Sequence, residues 1–334
     1  MRPLTPAAVL APNWLGDAIM SLPALSALLA ATPDHSWTVL ARPHVAPVYS
    51  LAQLNVRVVP LPPPRRLRLP RVKAQEVVVL PNSFHAALLA LRLGAHRRIG
   101  YARNCRSWLL HPAIAPPAPG ALPGHESFYY LELLRLAGLI SALPADEPAR
   151  LRVPLHPDAT RVESWRRELA PAPVIALHAG ATNHPAKRWP PQRFAELAGA
   201  LARRSASVVL IGGPAERELA RQLRMLAPHP EQVKNLTGET SLQDLAALLA
   251  AADLLVANDS GPMHVAGAVG TPVVALFGPT DEKATYPLTE DGKLHLIKAE
   301  GSARDSMHHG SMARIAVATV LAAAEAALAK AEKR

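Results

Sequence analysis

The chain has 334 residues and a mass of 35.6 kDa. With 49% hydrophobic and 19% charged residues it holds enough apolar surface for two cores of ordinary size, which excludes a disordered chain. The net charge of +10 comes from 36 Lys and Arg against 26 Asp and Glu, and the one cysteine, Cys105, excludes a disulfide framework and a cysteine-based metal site.

The charge is unevenly placed. Residues 1–167 hold 19 basic and 9 acidic side chains, whereas residues 168–334 hold 17 of each. From Arg42 to Arg106, 12 basic residues stand against Glu76 alone. Such a field draws an anionic partner: nucleic acid, an anionic membrane surface or a phosphorylated substrate. The plainer reading is a solvated, arginine-biased surface. Nucleic acid is disfavoured, since there is no helix-turn-helix, zinc or RNP-type motif and only 5 Trp, 5 Tyr and 4 Phe for stacking.

In chain order, short apolar runs alternate with helical patterns, as in parallel α/β units. Ala8 to Ala11 reads as a strand and Ala18 to Ala31 as a helix. Pro12, Asn13 and Asp17 interrupt the apolar run after Arg2, against a signal peptide. Trp37 to Ala41 is a strand, Leu61 to Arg71 a Pro/Arg-rich loop, Glu76 to Leu80 a strand, His85 to Leu93 a helix and Arg98 to Tyr101 a strand. Pro112 to Gly124 reads as a loop and Glu126 to Leu139 as a helix. Residues 141–172 have the composition of a linker, with a short helix near Asp158–Leu169. The pattern then restarts with strands at Val174–His178, Val208–Ile211, Leu254–Ala257 and Val273–Phe277. Helices are expected over Pro191–Arg204, over Ala215–Leu226, from the capping box at Ser241, after Asp259, and over Ala313–Arg334. No window of about 18–20 apolar residues offers a membrane span, so a cytoplasmic protein is expected.

Two doubly wound domains facing across a cleft follow, and ligands of open α/β sheets bind beyond the carboxyl ends of the strands. Four motifs sit at such ends. Asn258-Asp259-Ser260-Gly261-Pro262-Met263-His264 opens a helix, whose free amides and dipole suit an anion; an ordinary N-cap by Asp259 or Ser260 with a core His264 is the alternative. His178 to Thr182, followed by Lys187-Arg188-Trp189-Pro190, suits a diphosphate, or else is a polar loop whose Trp189 plugs the core. Ile211-Gly212-Gly213-Pro214 with Glu216 places a carboxylate where a ribose hydroxyl would lie, but no G-x-G-x-x-G and no P-loop is present. Pro12 to Asp17 ends in a carboxylate that is either an N-cap or a general base.

Together these motifs resemble the ADP-heptose:lipopolysaccharide heptosyltransferases of glycosyltransferase family 9, most of all the heptosyltransferase II branch. The resemblance rests on "PNWLGDAIMSLPAL", "LPNSFHAALLA" with "RRIGYAR", "HAGATNHPAKRWP", "LTGETSL" and "NDSGPMHVAGAVGTPVVALFGPT", five stretches in order between Pro12 and Pro287. It implies a GT-B fold of two Rossmann-like domains: 1–165 for the acceptor, 166–312 for the nucleotide sugar, and a C-terminal helix, 313–334, returning to the first domain. It implies inverting transfer of L-glycero-D-manno-heptose from ADP-heptose to the lipid-linked heptosyl-Kdo2-lipid A inner core, without metal or other cofactor. The family's base falls on Asp17. Its donor contacts fall on Lys187, Asp259, Ser260, Gly261 and His264, with Thr182 and Glu216 matched less closely. Acceptor candidates are Asn13, Asn82, Ser83, Arg97, Arg98 and Arg103, with Arg106, Arg65 and Arg66 beside them. A lipid-linked acceptor also suggests a peripheral place on the inner face of the inner membrane. Asn183-His184 departs from the family loop, and Met307-His308-His309 reads as a loop rather than a metal site. The alternatives are heptosyltransferase I or III, a transferase of another nucleotide sugar, or a non-catalytic binding protein.

Overall fold

The computed structural model describes residues 4–62, 71–170, 173–181, 184–300 and 311–331. The chain divides into two compact units, Met1–Val153 and Pro154–Arg334.

In the first unit, β1 (Thr5–Leu10), β2 (His35–Ala41), β3 (Arg57–Pro60), β4 (Glu76–Val79), β5 (Arg97–Tyr101) and β6 (Ala113–Ile114) form one parallel sheet in the order β3-β2-β1-β4-β5-β6. Helices α1 (Leu15–Met20), α2 (Leu22–Ala31), α3 (Ala46–Leu51), α4 (Phe84–Arg92) and α5 (Glu126–Leu136) connect or flank the strands. Ala8, Leu10, Leu40, Val77, Val79 and Ala87 belong to the core beneath α4.

The second unit repeats the plan after α6 (Ala159–Leu169). Its strands β7 (Val174–His178), β8 (Ser207–Leu210), β9 (Val233–Asn235), β10 (Leu254–Asn258), β11 (Val273–Phe277) and β12 (Leu294–Lys298) order as β12-β11-β10-β7-β8-β9, all parallel. Helices α7 (Pro191–Ala202), α8 (Arg217–Leu226), α9 (Leu242–Ala251), α10 (Gly261–Val269), α11 (Glu282–Thr285) and α12 (Val317–Ala331) complete it. Every residue of β7, β10 and β11 is buried, as in a parallel sheet covered on both faces. Both sheets have Rossmann order, and each reverses direction at one point, between β1 and β4 and between β7 and β10. The loops after β1, β7 and β10 carry three of the four motifs, and Ile211 to Glu216 follows β8, the neighbour of β7.

Several elements differ from the sequence reading. The single helix expected over Ala18–Ala31 is two helices, because Pro23 has no N–H for the carbonyl four residues back; the chain restarts there, and the Ser21 hydroxyl donates to the Ala18 carbonyl at 2.8 Å. Strands β3, β9 and β12 and helix α3 were not anticipated, and two residues of the Pro112–Gly124 loop pair as β6. The boundary falls after Val153 instead of after residue 165. The apolar stripe of α6 explains this: Val162 packs on Ala247 and Ala251 of α9, and Arg161 pairs with Asp244. Likewise the terminal helix, expected on the first domain, buries Val320, Ala324 and Ala327 in the core of its own unit, together with Phe194 and Leu276. Among the described residues no helix is long and apolar enough to cross a membrane.

Candidate functional site

In the second unit the site grows from three strand ends. Asn258, the last residue of β10, is fully buried and ties the neighbouring loops together. Its Nδ2 donates to the carbonyls of Ala179 (2.8 Å) and Gly180 (3.3 Å), and its Oδ1 accepts the Trp189 amide at 3.1 Å. Trp189 is itself fully buried against Phe194 and donates its indole N–H to the Ile315 carbonyl at 3.0 Å. Trp189 does plug the core, and by doing so it fixes the loop before it. Lys187, two residues earlier, lies 2.7 Å from Asp259 through its Nζ. Asp259 also accepts from the Thr280 hydroxyl at 2.7 Å. The Asp259 side chain is 5% exposed and that of Lys187 19%, so the cation is the member that opens to solvent. A buried carboxylate repels phosphate. Asp259 therefore serves by aiming Lys187, and Thr280, absent from the sequence-based candidates, helps to hold it.

Helix α10 starts immediately afterwards. Ser260 occupies the N-cap position, but its side chain does not cap the helix. Its hydroxyl lies 2.9 Å from the Asn258 carbonyl and 3.0 Å from His178 Nδ1. This excludes the ordinary capping role by Ser260 and leaves the helix start, with its positive dipole end, uncapped by a side chain. His264, in the first turn, is buried. Gly270 closes the helix in the left-handed region, φ 93°.

Glu216 Oε2 lies 3.2 Å from His178 Nε2 and accepts the Gly213 amide at 2.7 Å. Burial opposes its charge. The hydrogen bond and charge of His178, the Gly213 amide and the charge of Arg188 outweigh that and hold Glu216 below the usual carboxylate range. Its Oε1 is buried with no hydrogen-bond partner among the described residues. That oxygen occupies the space where a side chain at residue 180 would begin: a Cβ on Gly180 would sit 1.5 Å from it. Gly180→Ala is accordingly expected to cost about 1–3 kcal/mol of stability and to push Glu216 off His178. Thermal denaturation with ADP titration checks this, and a variant that melts and binds like wild type overturns it.

In the first unit, Asp17 stands in the first turn of α1, three positions beyond the N-cap residue Trp14. It is not the N-cap. Its charge adds to burial in pushing up the proton affinities of Tyr49, Tyr130 and Glu126. Glu126 opens α5, which packs on α1, and its carboxyl is raised to about 7 by burial first, then by Asp17, against the lowering charge of Arg103. The Arg103 guanidinium stands 5.7 Å from the Tyr129 ring centre. Asn82 donates through Nδ2 to the Tyr129 hydroxyl at 3.0 Å and accepts from Arg106 at 3.1 Å.

Arg106 is completely buried and gives its protons to the Asn82 side chain and to the carbonyls of Pro81, Ser83 and Tyr101. Desolvation lowers its pKa to about 10. It shapes the loop after β4 and is not open to a ligand. Ser83 caps α4, accepting the Ala86 amide at 3.2 Å, and Asn13 is exposed, with its carbonyl 2.8 Å from His44 Nε2.

Two acceptor candidates fall at the wrong edge. Arg97 begins β5 and pairs with Glu76, which begins β4. At ~3.3 Å per residue, that is about 13 Å from the carboxyl end of β5. Arg98 is spent on the carbonyls of Leu109 (2.7 Å) and Ala95 (2.5 Å). Arg103, past the strand end, stays with the Asp17 group. Thr182, Asn183, Arg65, Arg66 and Met307-His308-His309 lie outside the described residues.

The model of glycosyltransferase family 9 (heptosyltransferase) matches residues 66–311. Lipopolysaccharide heptosyltransferase 2 of Salmonella typhimurium is 31% identical over 86% of each chain, and that of Escherichia coli 30% identical over the same shares. A solved structure of the E. coli ADP-heptose lipopolysaccharide heptosyltransferase II superposes with a TM-score of 0.81 at 29% identity, covering 98% of this chain and 100% of that one.

Proposed function

The chain belongs to glycosyltransferase family 9, the heptosyltransferases, and on that premise we propose that it moves L-glycero-D-manno-heptose from ADP-heptose to the heptosyl-Kdo2-lipid A inner core of lipopolysaccharide. The observation that carries this reading is Lys187, held by an Asp259 that Thr280 braces in turn, beside the uncapped start of α10 at the topological switch point of the second sheet.

Reaction is a single inverting displacement. An acceptor hydroxyl gives its proton to Asp17 as its oxygen bonds to the anomeric carbon. The bond from that carbon to the phosphate oxygen breaks, and ADP leaves with the electron pair. The charge growing on ADP is met by Lys187 and the α10 dipole, an electrostatic role that needs no metal. Ser260, Gly261 and His264 line the same helix start, and Glu216 is tied to it through His178. On the first unit, Arg103 at the carboxyl end of β5 suits an acceptor bearing phosphates and acidic sugars. Trp14, Phe84 and Trp108 are exposed there, the last at 71%, and suit contact with the cytoplasmic face of the membrane that carries the acceptor.

Incubation with ADP-heptose and heptosyl-Kdo2-lipid A is expected to release ADP and add one heptose. ADP release with Kdo2-lipid A or a longer core in its place would move the assignment to a type I or type III enzyme. Binding of ADP-heptose without turnover on any core acceptor would leave a sugar-nucleotide-binding protein.

A further inference from the structure

Ser83 and Ser241 cap α4 and α9, accepting the amides of Ala86 at 3.2 Å and Asp244 at 3.1 Å. Ser260 holds the same position before α10, yet its side chain does not cap. What sets it apart is His178. That residue closes β7, is 3% exposed, and meets the Ser260 hydroxyl through Nδ1 at 3.0 Å. Its other ring nitrogen, Nε2, lies 3.2 Å from Glu216 Oε2, and the Gly213 amide fixes Glu216 in turn at 2.7 Å. Glu216 is held as a carboxylate, so the proton between the two sits on Nε2 and the ring is oriented by it. The Asn258 carbonyl, 2.9 Å away, is a second anchor for the hydroxyl.

This chain of bonds leaves the helix start open. Serine is a preferred N-cap because its oxygen takes a first-turn amide. In α10 the second helical residue is Pro262, which has no N–H, so the amide a capping hydroxyl would take is that of Met263. Its acceptor here is the Ser260 carbonyl at 3.2 Å, at the long edge of the normal range. A hydroxyl turned onto that amide would compete for it with an anion bound at the helix start. We infer that His178 is a positioning residue for the donor: it holds the Ser260 hydroxyl away from the first turn of α10 and keeps that turn free for the diphosphate. This role rests on the reading of the α10 start as the diphosphate site.

Two substitutions of similar shape separate the two ends of the ring. An asparagine amide falls where Nδ1 stands, and a glutamine amide where Nε2 stands. His178→Asn therefore keeps a partner for Ser260 and gives up Glu216, whereas His178→Gln keeps Glu216 and releases Ser260. Calorimetric titration with ADP is expected to show His178→Asn within about threefold of wild type and His178→Gln about five- to tenfold weaker, the competition one serine N-cap can exert. Adding Ser260→Ala to His178→Gln removes the competing hydroxyl and is expected to recover most of that loss. A histidine that only fills the core predicts no recovery, because the second substitution adds no packing. Melting temperatures measured alongside separate lost affinity from lost folding. Equal ADP affinity in wild type and His178→Gln overturns the inference, and so does a loss that Ser260→Ala does not reverse. His178→Asn binding no better than His178→Gln overturns it as well. A wild-type protein that does not bind ADP overturns the diphosphate reading itself, and the role of His178 with it.

Discussion

Lys187→Ala is expected to lower kcat/KM for the nucleotide sugar by about 10²–10³, the usual cost of removing one preorganised charge from a developing anion. Most of the loss falls on kcat, because the diphosphate gains charge only as the glycosidic bond breaks. The ion pair complicates the experiment. Lys187 and Asp259 are partners at 2.7 Å, and Asp259 is almost wholly buried. Removing the amine leaves that carboxylate with the Thr280 hydroxyl as its remaining partner among the bonds described above, a change that costs about 3–5 kcal/mol when both partners are buried and less here, where the lysine end reaches solvent. A second variant separates folding from chemistry. Lys187→Met with Asp259→Asn replaces the pair by a neutral one of similar size and is expected to restore the melting temperature but not the rate. If the double variant regains wild-type kcat, the pair holds the loop and does not stabilise the leaving group. If Lys187→Ala stays within fivefold of wild type while folded, the diphosphate is held elsewhere.

The second unit was more legible in sequence than the first, for a physical reason. Its site is made of backbone-like features: apolar strands that end abruptly, a glycine against a carboxylate, a helix start, and a lysine fixed by a tryptophan. These are local, and spacing reveals them. Thr280 closes the last of the quoted stretches but was not picked out as a site residue, because its partnership with Asp259 spans two strands. In the first unit, sequence nearness misled. Arg97 and Arg98 lie within six residues of Arg103, yet they stand at the amino edge of the sheet and Arg103 at the carboxyl edge, and composition carries no sign of which end of a short strand a residue occupies. Arg106 looked like one more member of a basic surface and is a buried brace for the loop at Asn82. Glu126 gave no signal, since the burial and the Asp17 charge that raise its carboxyl arise in the fold, with Asp17 more than 100 residues away in the chain. The missed strands β3, β9 and β12 are each at a sheet edge, where one side faces solvent and the apolar run that marks a buried strand is broken by Arg57, Lys234 and His295.

Asp17→Asn is expected to lower kcat by about 10²–10⁴ while leaving ADP affinity within twofold of wild type. The amide keeps the shape and the place in the α1 turn, but it cannot accept the hydroxyl proton. The donor loops belong to the other unit and contain none of the affected atoms, so a titration with ADP should read the same in both proteins. The electrostatics predict a second sign. Removing the charge of Asp17 relieves the repulsion that helps to raise Glu126, so that carboxyl ionises at lower pH in the variant than in wild type. A carboxylate whose proton affinity is raised on folding loses stability as pH climbs from its unfolded value, near 4.5, through about 7. Asp17→Asn should soften that decline, and the melting temperature at pH 8 should rise relative to pH 5 by comparison with wild type. An inactive variant with normal ADP binding and this stability pattern makes Asp17 the proton acceptor and the electrostatic partner of Glu126 at once. An active variant moves the base to another side chain of the first unit. An inactive variant that has lost ADP binding makes Asp17 a residue the donor needs, and catalysis must then be assigned afresh.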